Sequence, residues 1–352
     1  MSGKPLSKVQ IICYVVISIL FTLLFIFFCY CYSINQKNVP KIPSKKEQPL
    51  LEKKKLTDVS EENNVNFKPS NTEKFPYFKD LIGFSEEKEA LDGFIHYLKN
   101  KANYVGIGKV EPPLGILFYG VPGTGKTTLA RAVAKETELP YFEVASSVFS
   151  QKYIGTAPKM IRELFENARK EANKNQGTII FLDECETIFT NLKNSEESRE
   201  EANIVNQFKT ELTSMHNNPA KPIFIIGATN RYEEIDAAIK SRFTYHIEIK
   251  PGNFEDRKAF LEFMIDRRGN LYNKEAKKFL LEDINNRLDE FQNDQEYLKT
   301  NRTLENLLKT TVSVFARNRQ IEKENSILKL RNKINKEDIE KAYQIVIGKK
   351  YS

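Results

Sequence analysis

The sequence contains no tryptophan, and only four cysteines and three histidines among its 352 residues. Four cysteines are too few for a disulfide-based scaffold. The sequence has neither a Cys-x-x-Cys pair nor a cysteine–histidine cluster, which argues against structural zinc. None of the histidines begins a His-Glu-x-x-His motif, which excludes the usual helix-borne zinc protease signature.

The excess of positive over negative charge is also small. Lys and Arg number 54 and Asp and Glu number 47, so the net charge of +7 is too mild to indicate a nucleic-acid binder. Hydrophobic residues make up 40% of the chain and charged residues 29%, so most of it can bury a core. The length allows about two compact domains with additional segments.

One long stretch lacks charge altogether. Residues 11–32, IICYVVISILFTLLFIFFCYCY, make a helix of roughly 33 Å, which is enough to cross a hydrocarbon core of about 30 Å. A cleaved signal peptide and a buried core helix are the alternatives. Signal-peptide apolar regions run about 7–15 residues and precede a small-residue cleavage site, which is absent here. We predict a short tail over residues 1–10 and one transmembrane helix over residues 11–32.

Lysines on the two sides of this stretch predict its orientation. Two precede it, and seven lie between residues 37 and 55, so the C-terminal part is expected on the cytoplasmic side. Residues 33–74 contain four prolines and no glycine, which predicts an extended linker. Its basic run either rests on anionic lipid or is a solvated tether. The abundance of Lys, Asn, Ile and Phe favours a bacterial cell membrane, and a mitochondrial membrane stays open.

A glycine-rich loop follows the first apolar run of the C-terminal part. Residues 115–128 read GILFYGVPGTGKTT and fill the signature Gly-x-x-x-x-Gly-Lys-[Ser/Thr]. In this signature Lys126 reaches the β- and γ-phosphates, and the Thr127 hydroxyl binds Mg²⁺. A chance glycine turn is the alternative. The predicted phosphate-binding residues are Gly120, Val121, Pro122, Gly123, Thr124, Gly125, Lys126, Thr127 and Thr128.

Two further apolar runs end in polar residues. In TIIFLDEC, Asp183 is placed to hold Mg²⁺ and Glu184 to act as general base on water, whereas an isolated acid pair usually caps a helix. IFIIGATN ends at Asn230, which is placed to contact the γ-phosphate or the attacking water. An isolated Asn in such a position is usually a turn former. Arg242 precedes a short strand pattern and, alone, would be a solvated charge.

These motifs in this order resemble the AAA+ ATPases over about residues 78–348. The resemblance implies a five-stranded parallel α/β sheet domain over residues 75–250 and a small helical lid over residues 251–352. It also implies ATP and Mg²⁺ as cofactors and a homo-hexamer. Asn230 would be sensor 1 and Arg242 an arginine finger. Many relatives carry a second arginine directly beside the first or three residues beyond it, where this chain has Ser241 and Tyr245.

Within AAA+ proteins the chain looks like the membrane-bound FtsH group. FKDLIG resembles its adenine-pocket segment, which assigns Ile82 and Gly83 to nucleotide binding, and Val205-Asn206-Gln207 matches the helix after the acidic motif. FtsH also has a second span and a zinc protease, to which the resemblance does not extend. The resemblance therefore implies a motor and not peptide hydrolysis. The plan is also similar to a single-span extractase of the mitochondrial outer membrane.

Two further assignments follow from the resemblance. Tyr153, Ile154 and Gly155 match an aromatic–hydrophobic–glycine loop that lines the central pore of translocating rings, and an ordinary loop is the alternative. Arg302 matches sensor 2 of other AAA+ groups, and a surface arginine is the alternative.

Three functions remain open from the sequence. The first is a membrane-anchored ATPase that unfolds, extracts or remodels protein substrates through a pore. The second is a nucleotide-gated assembly factor, or a partner subunit of FtsH-like chains, that threads nothing. The third is a nucleic-acid remodeller, against which the predicted membrane span and the mild charge argue.

Overall fold

The structure is a computed structural model that describes residues 67–100, 103, 115–150, 156–190, 198–213, 221–319, 321–324 and 327–348. Val65–Ser352 form one compact unit. The predicted transmembrane helix, the linker up to residue 66 and the predicted pore loop at residues 153–155 lie outside the described residues. Within the described ranges, no helix is both long enough and apolar enough to cross a membrane.

A parallel sheet of five strands forms the centre of this unit, which confirms the predicted sheet. The strands are β1 (Gly115–Tyr119), β2 (Tyr141–Ala145), β3 (Thr178–Asp183), β4 (Ile223–Thr229) and β5 (Tyr245–Glu248). They lie side by side in the order β2-β3-β4-β1-β5, with every pairing parallel. The phosphate loop, Asp183 and Asn230 therefore lie close together, at the carboxyl ends of the neighbouring strands β1, β3 and β4.

Helices cover both faces of the sheet. In chain order they are α1 (Ser85–Lys99), α2 (Lys126–Thr137), α3 (Ser147–Ser150), α4 (Ala157–Lys174), α5 (Glu186–Phe189), α6 (Ser198–Thr213), α7 (Ala237–Lys240), α8 (Phe254–Arg268), α9 (Lys274–Lys278), α10 (Asn285–Asp289), α11 (Asn301–Arg317) and α12 (Lys336–Val346). Strand β3 shows why its apolar run is continuous. Ile180 and Leu182 pack with α4 and α6, whereas Ile179 and Phe181 pack with α1 and α2.

The segment before the sheet corrects the predicted end of the linker. Phe67 is buried in the same core cluster as Phe149, and their rings lie 6.1 Å apart. The Ser70 amide donates to the Tyr141 carbonyl at 2.7 Å. Residues 67–74, which the sequence assigned to an extended linker, therefore pack on the edge strand β2 because Phe67 gains a buried site there.

The C-terminal helices enclose a core cluster of their own, which runs from Leu261 to Ile347. Asn253 and Asn335 cap α8 and α12, each in a reciprocal capping box with the aspartate three residues later. A π-helical stretch (Phe279–Ile284) joins α9 to α10. This part is not wholly helical as predicted, because β6 (Ile321–Glu324) and β7 (Ile327–Leu330) pair as an antiparallel hairpin.

A buried arginine joins α8 to α10. Arg257 is 2% exposed, and its guanidinium donates to the Asn285 side chain at 2.8 Å, the Gly252 carbonyl at 2.8 Å and Asp289 at 2.6 Å. Asn285 in turn donates to the Phe254 carbonyl at 2.9 Å. A buried cation with this many acceptors fixes α8 against α10.

Candidate nucleotide site

The phosphate loop lies between β1 and α2, and its glycines take backbone conformations that other residues avoid. Gly120 has φ +133°, and a Cβ there would lie 2.4 Å from the Ile249 carbonyl oxygen. Gly125 is the N-cap of α2, with φ +108° and no side-chain cap. Among the described residues no side chain caps this terminus, so the first backbone amides of α2 can receive an anion.

Lys126 is folded back against its own loop. It is 7% exposed, and its ammonium donates to the carbonyls of Gly120 at 2.8 Å and Val121 at 3.0 Å. Burial lowers the pKa of Lys126 to about 8, opposed by the charges of Asp183 and Glu186 and reinforced by Arg302. The lowered pKa means that the positive charge of the buried Lys126 ammonium is poorly compensated. A bound phosphate would compensate it.

The Thr127 hydroxyl and Asp183 meet directly. The hydroxyl donates to Asp183 Oδ2 at 2.9 Å, and Asp183 Oδ1 accepts from the Glu184 amide at 3.0 Å. Within the described residues no three Asp, Glu, His or Cys side chains cluster as metal ligands. A hydroxyl and a single carboxylate suit Mg²⁺, which typically takes one or two carboxylates and completes its shell with phosphates and water.

Glu184 projects from the end of β3. Its side chain is exposed, and its backbone is left-handed with φ +51°. A non-glycine residue in this region is strained, and such strain concentrates at functional sites. The neighbouring Cys185 is fully buried, and burial raises the pKa of its thiol well above the usual value, so it is not a nucleophile here.

Asn230 follows β4 and is exposed beside this acidic turn. Its backbone amide donates to Glu186 Oε1 at 3.3 Å, and Glu186 Oε2 is buried with no hydrogen-bond partner among the described residues. Glu186 was not among the residues predicted from the sequence. Its position three residues after Asp183, at the start of α5, was the available signal.

A cavity of about 570 Å³ opens beside the loop. Ile82 lines it, whereas Gly83 is turned toward Asp256, where a Cβ would lie 3.3 Å from Asp256 Cγ. Two features of the cavity were not predicted from the sequence. They are its apolar walls, which come from Phe84, Phe260, Phe263 and Met264, and its additional cations, Lys74 and Arg267.

The start of α11 packs directly on the loop. The Arg302 amide donates to the Gly123 carbonyl at 3.2 Å, and Asn301 Nδ2 donates to the Thr124 carbonyl at 3.4 Å. Asn301 and Arg302 also line the cavity with Thr127 and Thr128. Arg302 therefore lies at the phosphate loop, as a sensor 2 residue would.

The remaining loop residues have smaller roles in this geometry. Thr124 is buried, and its hydroxyl donates to the Val121 carbonyl at 3.1 Å, whereas Pro122 is exposed.

Arg242 lies at the opposite end of the sheet from the phosphate loop. It lines a small cavity with Gly115 and Ile223, the first residues of β1 and β4. The length of β1, roughly 16 Å, separates that edge from the loop. The Arg242 Nη1 donates to the Ala238 carbonyl at 2.6 Å, and its buried Nε has no partner among the described residues. One chain does not bring Arg242 to its own phosphate loop.

Comparison with known families identifies the domain that carries these residues. Residues 116–251 match the family model "ATPase family associated with various cellular activities (AAA)". This chain carries an AAA ATPase domain related to that of FtsH. The AAA domain covers β1 to β5, and thus the phosphate loop, Asp183, Glu184, Asn230 and Arg242.

Several curated proteins are similar to the AAA domain and its flanks. The ATP-dependent zinc metalloprotease FtsH 2 of Phytoplasma mali (strain AT) is 38% identical over 192 residues, covering 53% of this chain and 26% of that protein. FTSH 7, chloroplastic, of Arabidopsis thaliana is 34% identical over 198 residues, covering 54% and 24%. The YME1 homolog of Schizosaccharomyces pombe is 34% identical over 210 residues, covering 58% and 28%. The chain thus spans about a quarter of these relatives' length.

Solved structures share the fold over more of the chain. The crystal structure of the FIGL-1 AAA domain superposes with a TM-score of 0.60 at 22% identity, covering 86% of this chain and 92% of that one. The same domain in complex with ADP gives 0.61 at 22% identity, covering 87% and 94%. At this identity the likeness establishes the fold, which extends beyond the AAA domain into the C-terminal helices.

Proposed function

We propose that this protein is a membrane-anchored, Mg²⁺-dependent ATPase that uses ATP hydrolysis to unfold, extract or remodel protein substrates through a central pore. The observation that carries the proposal is the 2.9 Å contact between Thr127 of the phosphate loop and Asp183, with Glu184 directly adjacent. A hydroxyl, a metal carboxylate and a general base are the groups that phosphoryl transfer to water requires.

Each residue of the site has a distinct part in this chemistry. The α2 amides and Lys126 hold the phosphates, and Thr127 with Asp183 would hold Mg²⁺. Bound Mg²⁺ would neutralise the negative charge of the phosphates. Glu184 takes the proton of the attacking water, and its exposed carboxylate at the strand end is free to reach one. Asn230 orients the water or the γ-phosphate.

Arg242 motivates an assembly of several chains. Its place at the far edge of the sheet supports a role at a neighbouring subunit's γ-phosphate, where arginine fingers contribute about 10³–10⁵ in rate. We propose a homo-hexamer. The alternative assembly is a mixed ring that also contains FtsH-like chains. Peptide hydrolysis and nucleic-acid binding are not part of the proposal.

Substrate handling and location rest on the sequence. The aromatic ring of Tyr153, followed in sequence by Ile154 and Gly155, would grip an extended polypeptide by packing. The apolar residues 11–32 would anchor the chain, with the AAA domain on the cytoplasmic side of a bacterial cell membrane, in contact with its lipid.

The first experiment measures steady-state ATP hydrolysis by the full-length chain in lipid nanodiscs, beside Glu184→Gln. Loss of general-base catalysis should lower turnover by about 10²-fold or more while ADP binding persists. ATP binding without turnover in the unaltered chain would instead favour the assembly-factor function, which the absence of a second arginine also favours. Turnover that survives Glu184→Gln would contradict the proposed chemistry.

A mixing experiment tests the shared site. Lys126→Ala removes a chain's own nucleotide contact, and Arg242→Ala removes the residue it donates. Each variant alone should be nearly inactive. An equal mixture should regain about a quarter of the unaltered turnover, because one interface in four pairs an intact Lys126 with an intact Arg242. No recovery would exclude a shared site.

A third measurement separates threading from assembly. Tyr153→Ala should retain ATP turnover but lose unfolding of a tagged protein substrate. Unfolding at the unaltered rate would remove the threading role and leave the assembly function.

A further inference from the structure

The segment from Asn230 to Phe243, here called the sensor–finger segment, connects two of the proposed functional residues. It leaves β4 at Asn230, makes a 3₁₀ turn (Tyr232–Glu234) and continues through α7 to Arg242. Strand β5 follows at Tyr245. The two ends of the segment are joined by one side chain that lies outside it, His246 of β5.

His246 contacts both ends with a single arrangement of its ring protons. Its Nε2 lies 3.1 Å from the carbonyl oxygens of both Lys240 and Phe243. Carbonyls only accept, so Nε2 carries a proton, and in the neutral imidazole Nδ1 is then an acceptor. Nδ1 lies 2.7 Å from the Tyr232 hydroxyl, which therefore donates to it.

The carbonyls bonded to Nε2 bracket the turn that carries Arg242. Within this turn the Arg242 amide donates to the Ile239 carbonyl at 3.0 Å. The imidazole thus fixes the turn from outside, and the tyrosine two residues after Asn230 fixes the imidazole. A second link, the 4.0 Å ion pair of Lys240 with Glu233, is weak because Glu233 is 94% exposed.

Tyr232 is held on the other side of this contact. Its ring lies 4.3 Å from the ring of Tyr119, the last residue before the phosphate loop. The Lys240 ammonium lies 4.1 Å from the centre of the Tyr232 ring. The tyrosine hydroxyl is therefore presented to His246 by a ring that is packed between the phosphate-loop strand and α7.

We propose that Tyr232 and His246 are positioning residues that set the place of Arg242 according to the state of the Asn230 loop. The proposal rests on the proposed function, since it needs Arg242 to act in turnover. A change at Asn230 would reach Arg242 through the Tyr232 hydroxyl and the imidazole rather than through the chain of the segment alone.

The test is ATP turnover by the full-length chain carrying Tyr232→Phe, which removes the hydroxyl and keeps the ring. We expect kcat to fall about three- to tenfold, the rate equivalent of one neutral hydrogen bond, with KM for ATP unchanged and the melting temperature lowered by no more than about 4 °C. His246→Ala should give a similar loss, and the double variant no more than either. Tyr245→Phe, on the same strand, is the matched control and should leave kcat unchanged.

The Arg242→Ala background separates positioning from a general structural role. There, residual turnover measured with radiolabelled ATP should not fall further on Tyr232→Phe, because the residue being positioned is gone. The same fold loss in that background, or full kcat in Tyr232→Phe alone, would overturn the inference. Unchanged turnover in Arg242→Ala itself would overturn the proposed shared site as well, which distinguishes the two failures.

Discussion

Lys126 gives nucleotide binding a dependence on pH that can be measured. Burial lowers its pKa from 10.5 to about 8, so the ammonium loses its proton at moderately alkaline pH in the nucleotide-free protein. Phosphates favour the charged form, so the pKa of Lys126 in the complex lies higher than in the free protein. Affinity for ADP should therefore be constant below about pH 8 and fall as pH rises above it.

The size of the fall follows from the pKa itself. At about pH 7.5 roughly three quarters of the Lys126 side chains are charged, and at about pH 9.5 roughly one in thirty. If the charged form carries the binding, the dissociation constant for ADP should rise about 25-fold between these two values. An unperturbed lysine would give a change of only about 1.1-fold over the same range.

The assay is titration of the full-length chain with a fluorescent ADP analogue in buffers of matched ionic strength. Lys126→Arg is the main control, because a guanidinium keeps its charge and its affinity profile should be flat. Lys74→Met should retain the fall, since Lys74 lines the cavity without holding the phosphate loop. Calorimetry near pH 9 should show about 0.9 proton taken up per ADP bound. A constant affinity without proton uptake would refute the reasoning.

Three further predictions concern stability and charge. Gly120→Ala should lower the free energy of unfolding in urea by at least about 2 kcal/mol, because the backbone is left-handed and the Cβ would press on the Ile249 carbonyl. Asn285→Ala should cost about 2–4 kcal/mol in the same assay by leaving Arg257 Nε unpaired, whereas Asn285→Asp keeps an acceptor. Arg302→Ala should shift the fall in ADP affinity to higher pH, because this cation lowers the pKa of the loop lysine.

The sheet was predictable because its signal is local and redundant. The strands β1, β3 and β4 are apolar runs buried on both faces. The glycine-rich loop follows β1, and the polar residues Asp183 and Asn230 mark the ends of β3 and β4. The packing of residues 67–74 was not predictable, since it depends on one buried phenylalanine in an otherwise polar stretch. The hairpin of β6 and β7 was missed because its sequence, IEKENSILKL, is short and highly charged at its start.

The candidate site was likewise predictable from the sequence only in part. Residues in one motif, such as Lys126 and Thr127, were assigned from spacing alone, because the phosphate loop is continuous in sequence. The cavity walls were missed where they come from α8, since Phe260 and Met264 follow the loop by more than 130 residues. Their apolar spacing matches an ordinary core helix, and no local pattern marks a side chain that faces a ligand.

The contact between α11 and the phosphate loop makes the C-terminal helices part of the site. Gly123 has φ +91°, and a Cβ there would lie 2.8 Å from Arg302 Cβ, so this glycine is required by the approaching helix and not only by phosphate. The loop carbonyls of Gly123 and Thr124 accept from residues of that helix. Any ligand that changes the shape of the loop must therefore change these two hydrogen bonds. By linkage, the position of α11 must change nucleotide affinity to the same extent.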